Sequence, residues 1–337
     1  MRDAAARLEV YVPGLFTPQP ALSALPAAER PDLGRLETAL ARADVTRTEP
    51  DTIGERLARL FGQAQGVLPL AALSARQDGL DGETGVWLRA DPVSLLPDRD
   101  CLRLVDAQPT LSAEEAGALV DAIRDFLAAE GWRIAAPHPG RWYLHGEGET
   151  PAAGSPLPEV EGEDIAAHLP AAGPWRQRLN GIQMCLHDHP VNREREARGL
   201  LPVNSVWFWG AGRWPETPPA RRWQRVYTDE PLLAAVAAGF GIPHRPLTAL
   251  AAEALDGDAL VVDTRLWRAS VRRDPLAWLD GVSRFNDKIM RVLTTRMNNE
   301  KLSICLHDEN GRRFHLHHRQ RRRFWRRARP IETLFRS

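Results

Sequence analysis

His187, Asp188 and His189 are adjacent in the sequence, and His315, His317 and His318 crowd its far end. Imidazoles and carboxylates hold a zinc or manganese ion when they converge, and residues 315 and 317, alternating on a strand, share a face. The first group has a plainer role. His187 falls where a helix should end, so its cationic form complements the helix dipole, and His189 leads into a proline turn. No metal site is assigned to either group.

Candidate anion ligands lie just beyond. Arg195 would grip a phosphate or carboxylate bidentately while Asn192 and Asn204 orient it. Gly210 and Gly212, after an apolar strand, would let a phosphate approach backbone N–H groups at the start of a helix. Arg213 and Arg141 complete the candidate contacts. Each has an internal alternative: Asn192 capping a helix, Asn204 satisfying backbone groups at a sheet end, and the glycines making a tight turn. No acidic residue stands at the spacing a dinucleotide ribose requires.

The C-terminal stretch mixes arginines with aromatics: Arg319-Gln320-Arg321-Arg322-Arg323-Phe324-Trp325-Arg326-Arg327-Ala328-Arg329. Such a segment can hold phosphates and stack bases, or lie on anionic lipid. From Asn310 to Ser337 there are ten arginines and one glutamate, so the neutral chain divides into a tail of +9 and a body of −9. That match favours internal or protein-partner pairing, with Phe324 and Trp325 anchoring a helix by burial.

These groups need elements to position them. A strand over 8–12 closes at Pro13-Gly14, and Ile53, Leu57, Leu60 and Phe61 recur at helical spacing. Strands are expected at 86–90 and 101–105, then a helix from the Ser112/Glu115 capping box to Gly131. A hairpin over 132–136 and 142–145 follows. Helices near 174–187 and 191–198 precede the run 203–209, which reads as a buried parallel strand. A helix near 232–238, a strand at 259–263 and a long helix near 276–296 come next, and a hairpin over 302–307 and 313–317 closes the pattern. Alternating strands and helices indicate a mainly parallel α/β sheet.

Residues 1–85 and 174–337 are therefore expected to form the N- and C-terminal parts of an α/β core. Residues 86–147 make an inserted strand-helix-hairpin unit, and the Gly/Pro-rich stretch within 148–173 a linker. Composition agrees: 337 residues, 43% apolar and 26% charged, make one large or two ordinary domains and exclude disorder and fibre. No window of 18 apolar residues and no signal-peptide core is present, so a cytoplasmic location is expected. Cys101, Cys185 and Cys305 lie far apart, which argues against a disulfide framework or a cysteine zinc site.

One segment is distinctive: His189-Pro190-Val191-Asn192-Arg193-Glu194-Arg195, then Gly199, then Pro202-Val203-Asn204-Ser205-Val206-Trp207-Phe208-Trp209-Gly210-Ala211-Gly212-Arg213-Trp214-Pro215. It resembles the HPxNxxR…G…PxNxxWxWGxGxxP signature of archaeal-type, cofactor-independent phosphoglycerate mutases of the alkaline-phosphatase superfamily. Trp87-Leu88-Arg89-Ala90-Asp91-Pro92, Ile182-Gln183-Met184-Cys185-Leu186-His187 and Phe324-Trp325-Arg326-Arg327 resemble the bacterial RpfE-type regulatory proteins grouped with those mutases. The resemblance implies an alkaline-phosphatase-like fold, a mainly parallel sheet with helices on both faces and a small inserted α+β domain.

It also implies a Ser or Thr phosphoryl acceptor beside two divalent metals, since bridging metals lower the charge cost of attacking a phosphate dianion. The acidic motif expected after the first strand is replaced by Val12-Pro13-Gly14-Leu15-Phe16, and the histidine expected after Asp263 is missing. Asp263, His307 and Asp308 remain as candidate ligands. A catalytically degenerate regulatory protein is expected, binding a small phosphorylated or carboxylated metabolite or a protein partner, with no resident cofactor and no membrane insertion. The alternatives are an active mutase or phosphatase using manganese or zinc at a changed site, and nucleic-acid binding through the tail.

Overall fold

The computed structural model describes residues 6–19, 22, 25–26, 29–63, 68–80, 84–98, 101–151, 154–170, 172–215, 221–255, 257–300 and 302–335. Along the chain its strands are β1 (Arg7–Tyr11), β2 (Asp44–Arg47), β3 (Val86–Asp98), β4 (Cys101–Asp106), β5 (Trp132–His138), β6 (Arg141–Gly146), β7 (Ser205–Arg213), β8 (Arg225–Tyr227), β9 (His244–Arg245), β10 (Ala259–Val262), β11 (Ser303–His307) and β12 (Arg312–His317). The chain forms two compact units, one of residues 1–67 and 218–337, the other of residues 68–217.

The first unit holds a seven-stranded sheet in the order β2-β12-β11-β1-β10-β8-β9. The neighbours from β11 to β9 are parallel, while β12 and β2 add an antiparallel edge. This is the mainly parallel α/β arrangement expected. Leu8 and Val10 of β1 pair in register with Ile304 and Leu306 of β11 and with Ala259 and Val261 of β10. All six are buried in one apolar cluster beneath helices carrying Trp278, Val282 and Leu293. The two-residue period sends Glu9 and Tyr11, with Cys305 and His307, to the opposite face.

Local signals fix several helices. Thr52 and Glu55 form a reciprocal capping box for Ile53–Leu60, satisfying two N-terminal donors. The long helix expected near 276–296 is interrupted: Pro275–Arg284 passes into a π-helical turn, Phe285–Met290, before Arg291–Glu300. Inside that turn Asn286 accepts from the Leu36 N–H at 3.0 Å and donates to the Asp32 carbonyl at 3.0 Å.

The second unit is an antiparallel five-stranded sheet, with β3 between β6 and β7 and with β4 on the far end of β3. Here the expectation for 203–209 is corrected. That run lies in β7, antiparallel to β3, and not in the parallel core. Apolar runs mark strands covered on both faces whatever their direction. One face packs on Leu119, Ile123, Leu179 and Ile182 of helices Ala113–Ala129 and Pro174–Leu186. The other carries Trp87 and Tyr143 against Ala71, Ala72 and Ala75 of helix Leu70–Gln77. Consequently 174–213 belongs with the strand-helix-hairpin unit, whose expected bounds of 86–147 are too narrow.

The tail also departs from expectation. His318–Arg322 is one 3-10 turn, and Phe324 and Trp325 are 78% and 66% exposed instead of buried. Seven arginines without an acidic neighbour offer a helix no i,i+4 ion pairs. Arg323 pairs with Asp44 at 2.6 Å and Arg326 donates to the Ala43 carbonyl at 2.9 Å. The side chain of Arg321 lies outside the described residues.

Candidate functional site

In open parallel sheets ligands bind beyond the carboxyl ends of the strands, and in the first unit that edge gathers acidic residues from three strands. Asp263 follows β10, Asp308 and Glu309 follow β11, and Glu230 lies three residues past β8. Each is already engaged. Asp263, 2% exposed, accepts from the Arg265 Nε at 2.8 Å and Nη2 at 2.6 Å, a bidentate fork. Buried Asp308 pairs with the Arg312 guanidinium, which also lies 5.4 Å from the Phe16 ring centroid. Glu230 accepts from Arg268 and, at 3.1 Å, from the Thr264 hydroxyl.

The loop after β1 supplies no acid. Val12, Leu15 and Phe16 are buried apolar residues, and Gly14, at φ +86°, passes so close to helix Arg265–Val271 that a Cβ would meet the Leu266 backbone at 2.7 Å. The Gly14 N–H is bonded by Glu309. Burial, with Asp308 adding like charge, pushes the Glu309 carboxyl up to about 7.

His307 does not join this edge. It turns to the sheet face, where its Nε2 contacts Glu9 and its Nδ1 lies 3.4 Å from Arg56. Among the described residues only Glu9, Cys305 and His307 bring three potential ligand atoms within 4.8 Å of one another. Burial, reinforced by Glu9, pushes the Cys305 thiol up to about 12, and burial holds the His307 imidazole below its usual range. Burial also works to raise Glu9, but its contacts with His307 and the Arg7 charge hold it low. A cation there would displace the Glu9–His307 contact and face Arg7 and Arg56.

A two-metal phosphoryl-transfer centre needs open carboxylate and imidazole ligands around a hydroxyl acceptor. The residues present do not fit one, because guanidinium groups already take the edge carboxylates and the single mixed cluster lies on the sheet face. The expected set of Asp263, His307 and Asp308 is therefore not brought together. Sequence reading missed Glu9, Arg56 and Cys305. The signal was present in the alternation: an acid inside the 8–12 strand, and Cys305 two residues before His307, mark one polar stripe.

The candidate anion contacts all fall in the second unit, where they are committed to the fold. Asn192 donates to the carbonyls of Leu186 at 3.0 Å and Val203 at 2.9 Å and accepts from the Val203 N–H at 2.8 Å. Arg195, 2% exposed, donates to the carbonyls of Leu201 and Thr110 at 3.0 and 2.9 Å. Asn204 pairs with both backbone groups of Leu95. Arg141 forks onto Asp78, and the exposed Arg213 lies 3.2 Å from Glu147. Gly210 and Gly212 lie inside β7, not in a turn before a helix, and a Cβ on Gly212 would meet Pro69 at 2.5 Å. The glycines admit a neighbouring segment, Pro69–Ala71, at close range. His189 caps helix Pro190–Ala197, and His315 bonds the Thr46 hydroxyl at 2.9 Å.

The same unit explains the other distinctive segment. Arg89 grips Asp91 through two nitrogens at 2.7–2.9 Å, and Asp91 also accepts from the Trp142 N–H and the Trp209 indole N–H. Trp209, from the long signature, thus locks onto the Trp87–Pro92 segment.

The chain is 31% identical over 153 residues to the "Probable 2,3-bisphosphoglycerate-independent phosphoglycerate mutase" of Geobacter sulfurreducens, which covers 42% of this chain and 37% of that one. Over that stretch it is related to phosphoglycerate mutases. A second relative, the 2,3-bisphosphoglycerate-independent phosphoglycerate mutase 2 of Methanothermobacter thermautotrophicus, is 27% identical over 206 residues, 58% of this chain and 50% of that one. The chain thus spans about half the length, or less, of the curated mutases it matches. No family model matches it. Among solved structures, the PH0037 protein from Pyrococcus horikoshii shares its fold, with a TM-score of 0.57 at 16% identity over 93% of this chain and 87% of that one.

Proposed function

We propose that this mutase-related chain is a catalytically degenerate, RpfE-type regulatory protein of the alkaline-phosphatase superfamily, acting in the cytoplasm by binding a small phosphorylated or carboxylated metabolite or a protein partner. One observation carries the reading: at the carboxyl edge Arg265, Arg268 and Arg312 pair with Asp263, Glu230 and Asp308, two of which are the candidate metal ligands. A guanidinium fixed in this way neutralises the carboxylate permanently and cannot supply the open coordination positions that phosphoryl transfer uses.

Each arginine of this edge balances one carboxylate. The side chains of Arg265 and Arg268 are 41% and 49% exposed while paired, so the outer edges of their guanidinium groups face solvent. An anion there would be bound and not transformed. No helix among the described residues is long and apolar enough to cross a membrane.

The test is calorimetric titration with 3-phosphoglycerate and with inorganic phosphate. Binding weakened at least about tenfold, or about 1.4 kcal/mol, by the double substitution Arg265→Ala/Arg268→Ala is the expected result. Equal binding by that variant, or no binding of either anion by the parent, removes the metabolite reading and leaves the protein-partner one.

A further inference from the structure

The arginine tail is the largest charged feature that the carboxyl edge does not use. Residues 319–329 hold seven arginines and no acid. Two of them are spent on the fold, and they flank the aromatic pair on both sides: Arg323 on Asp44 and the Arg42 carbonyl, Arg326 on the Ala43 carbonyl. The backbone is therefore pinned immediately before Phe324 and immediately after Trp325. Between those two contacts the rings stand in solvent in an edge-to-face pair with centroids 5.4 Å apart.

Around them Arg319, Arg322, Arg327 and Arg329 are exposed. No hydrogen bond or ion pair ties any of these four to the described residues. We propose that this surface docks single-stranded nucleic acid, with the free guanidinium groups on phosphates and the pinned rings stacking unpaired bases. Charge complementarity selects a polyanion, and a pre-held aromatic pair adds what a simple polyanion lacks the means to use. An anionic bilayer has the same charge, but the apolar footprint is two rings only: Phe324 and Trp325 are the exposed large apolar residues of the tail, and Ile331 beyond them is buried. Two rings match one or two bases and give little purchase on lipid. The inference stands apart from the metabolite reading, since none of its residues lies at the carboxyl edge.

The experiment is fluorescence anisotropy of labelled oligo(dT) and oligo(U) against the full chain across a salt series, with poly-glutamate and phosphatidylglycerol vesicles as competing anions. Four free arginines predict that log K falls with log salt at a slope of about −3. Arg322→Ser/Arg327→Ser/Arg329→Ser flattens that slope by about 2. Phe324→Ala/Trp325→Ala leaves it unchanged and weakens binding by about 5- to 150-fold for each base that loses its ring. All five side chains are exposed, and a circular-dichroism match to the parent confirms folding. Absence of oligonucleotide binding overturns the proposal. So does an aromatic variant that binds as the parent does, poly-glutamate that competes as well as oligo(dT), or vesicles captured where oligonucleotides are not.

Discussion

Replacing Asn192 with alanine tests whether the signature residues serve the fold or a ligand. The side chain is 4% exposed and makes three hydrogen bonds, at 2.8, 2.9 and 3.0 Å, that tie the end of helix Pro174–Leu186 to the start of the segment entering β7. At about 0.5–1.5 kcal/mol net each, three bonds contribute about 1.5–4.5 kcal/mol. Alanine also strands buried carbonyls, so the expected loss is about 3–4 kcal/mol. Aspartate keeps the acceptor for the Val203 N–H but sets a carboxylate against two carbonyls, so Asn192→Asp costs at least as much at neutral pH. In equilibrium urea unfolding followed by tryptophan fluorescence, the alanine loss lowers the midpoint by about 1–4 M for slopes of about 1–3 kcal/mol/M. A loss under about 0.5 kcal/mol would refute the structural role and return Asn192 to the candidate ligand contacts.

Asp91→Ala should cost about 3–5 kcal/mol, because it leaves the buried Arg89 guanidinium without its counter-charge. Arg89→Met/Asp91→Leu should recover at least half of that in the same unfolding assay, and equal losses would refute the pairing account. Glu309 makes stability depend on pH: its carboxyl titrates near 7 in the fold against an ordinary value of 4.5, so the folded state binds the extra proton. Its contribution to stability is therefore fully present below about pH 4.5 and is lost as pH rises through about 7, and in a thermal-denaturation series over that window Glu309→Gln should remove the part of the pH dependence that the parent owes to this carboxyl.

Local signals were legible wherever the structure depends on neighbours in sequence. The capping box at Ser112, the helical spacing of Ile53, Leu57 and Leu60, the hairpin over β5 and β6 and the closing β11–β12 hairpin follow from such spacing. The strand assignments at β1 and β10 and the α/β class followed from periodicity. What stayed hidden depends on distant partners. The apolar run at 203–209 announces a buried strand, but nothing near it announces that β7 runs antiparallel to β3 in the second unit. Glu9 and His307 meet across 298 positions, and neither position alone suggests the other. Arg265 is two residues from Asp263 and Arg312 four from Asp308, so those closures were within local reach. An arginine two or four residues from an acid reads equally as an ordinary solvated neighbour, and only the fold shows that these pairs close on buried carboxylates. For Asn192, Arg195 and Asn204 the type of residue was informative and the role was not, since a buried amide serves a backbone and a ligand with the same atoms.

The central claim is that guanidinium groups hold the carboxylates at the carboxyl edge of the first unit's sheet and leave none open for metal-dependent phosphoryl transfer, and phosphoglycerate turnover tests it most directly. Purified full-length chain is supplied with 3-phosphoglycerate and, in turn, manganese, magnesium and zinc, and formation of 2-phosphoglycerate is followed by phosphorus NMR. The account predicts no interconversion with any of the three ions. Robust turnover that disappears on chelation and returns when metal is restored would contradict it.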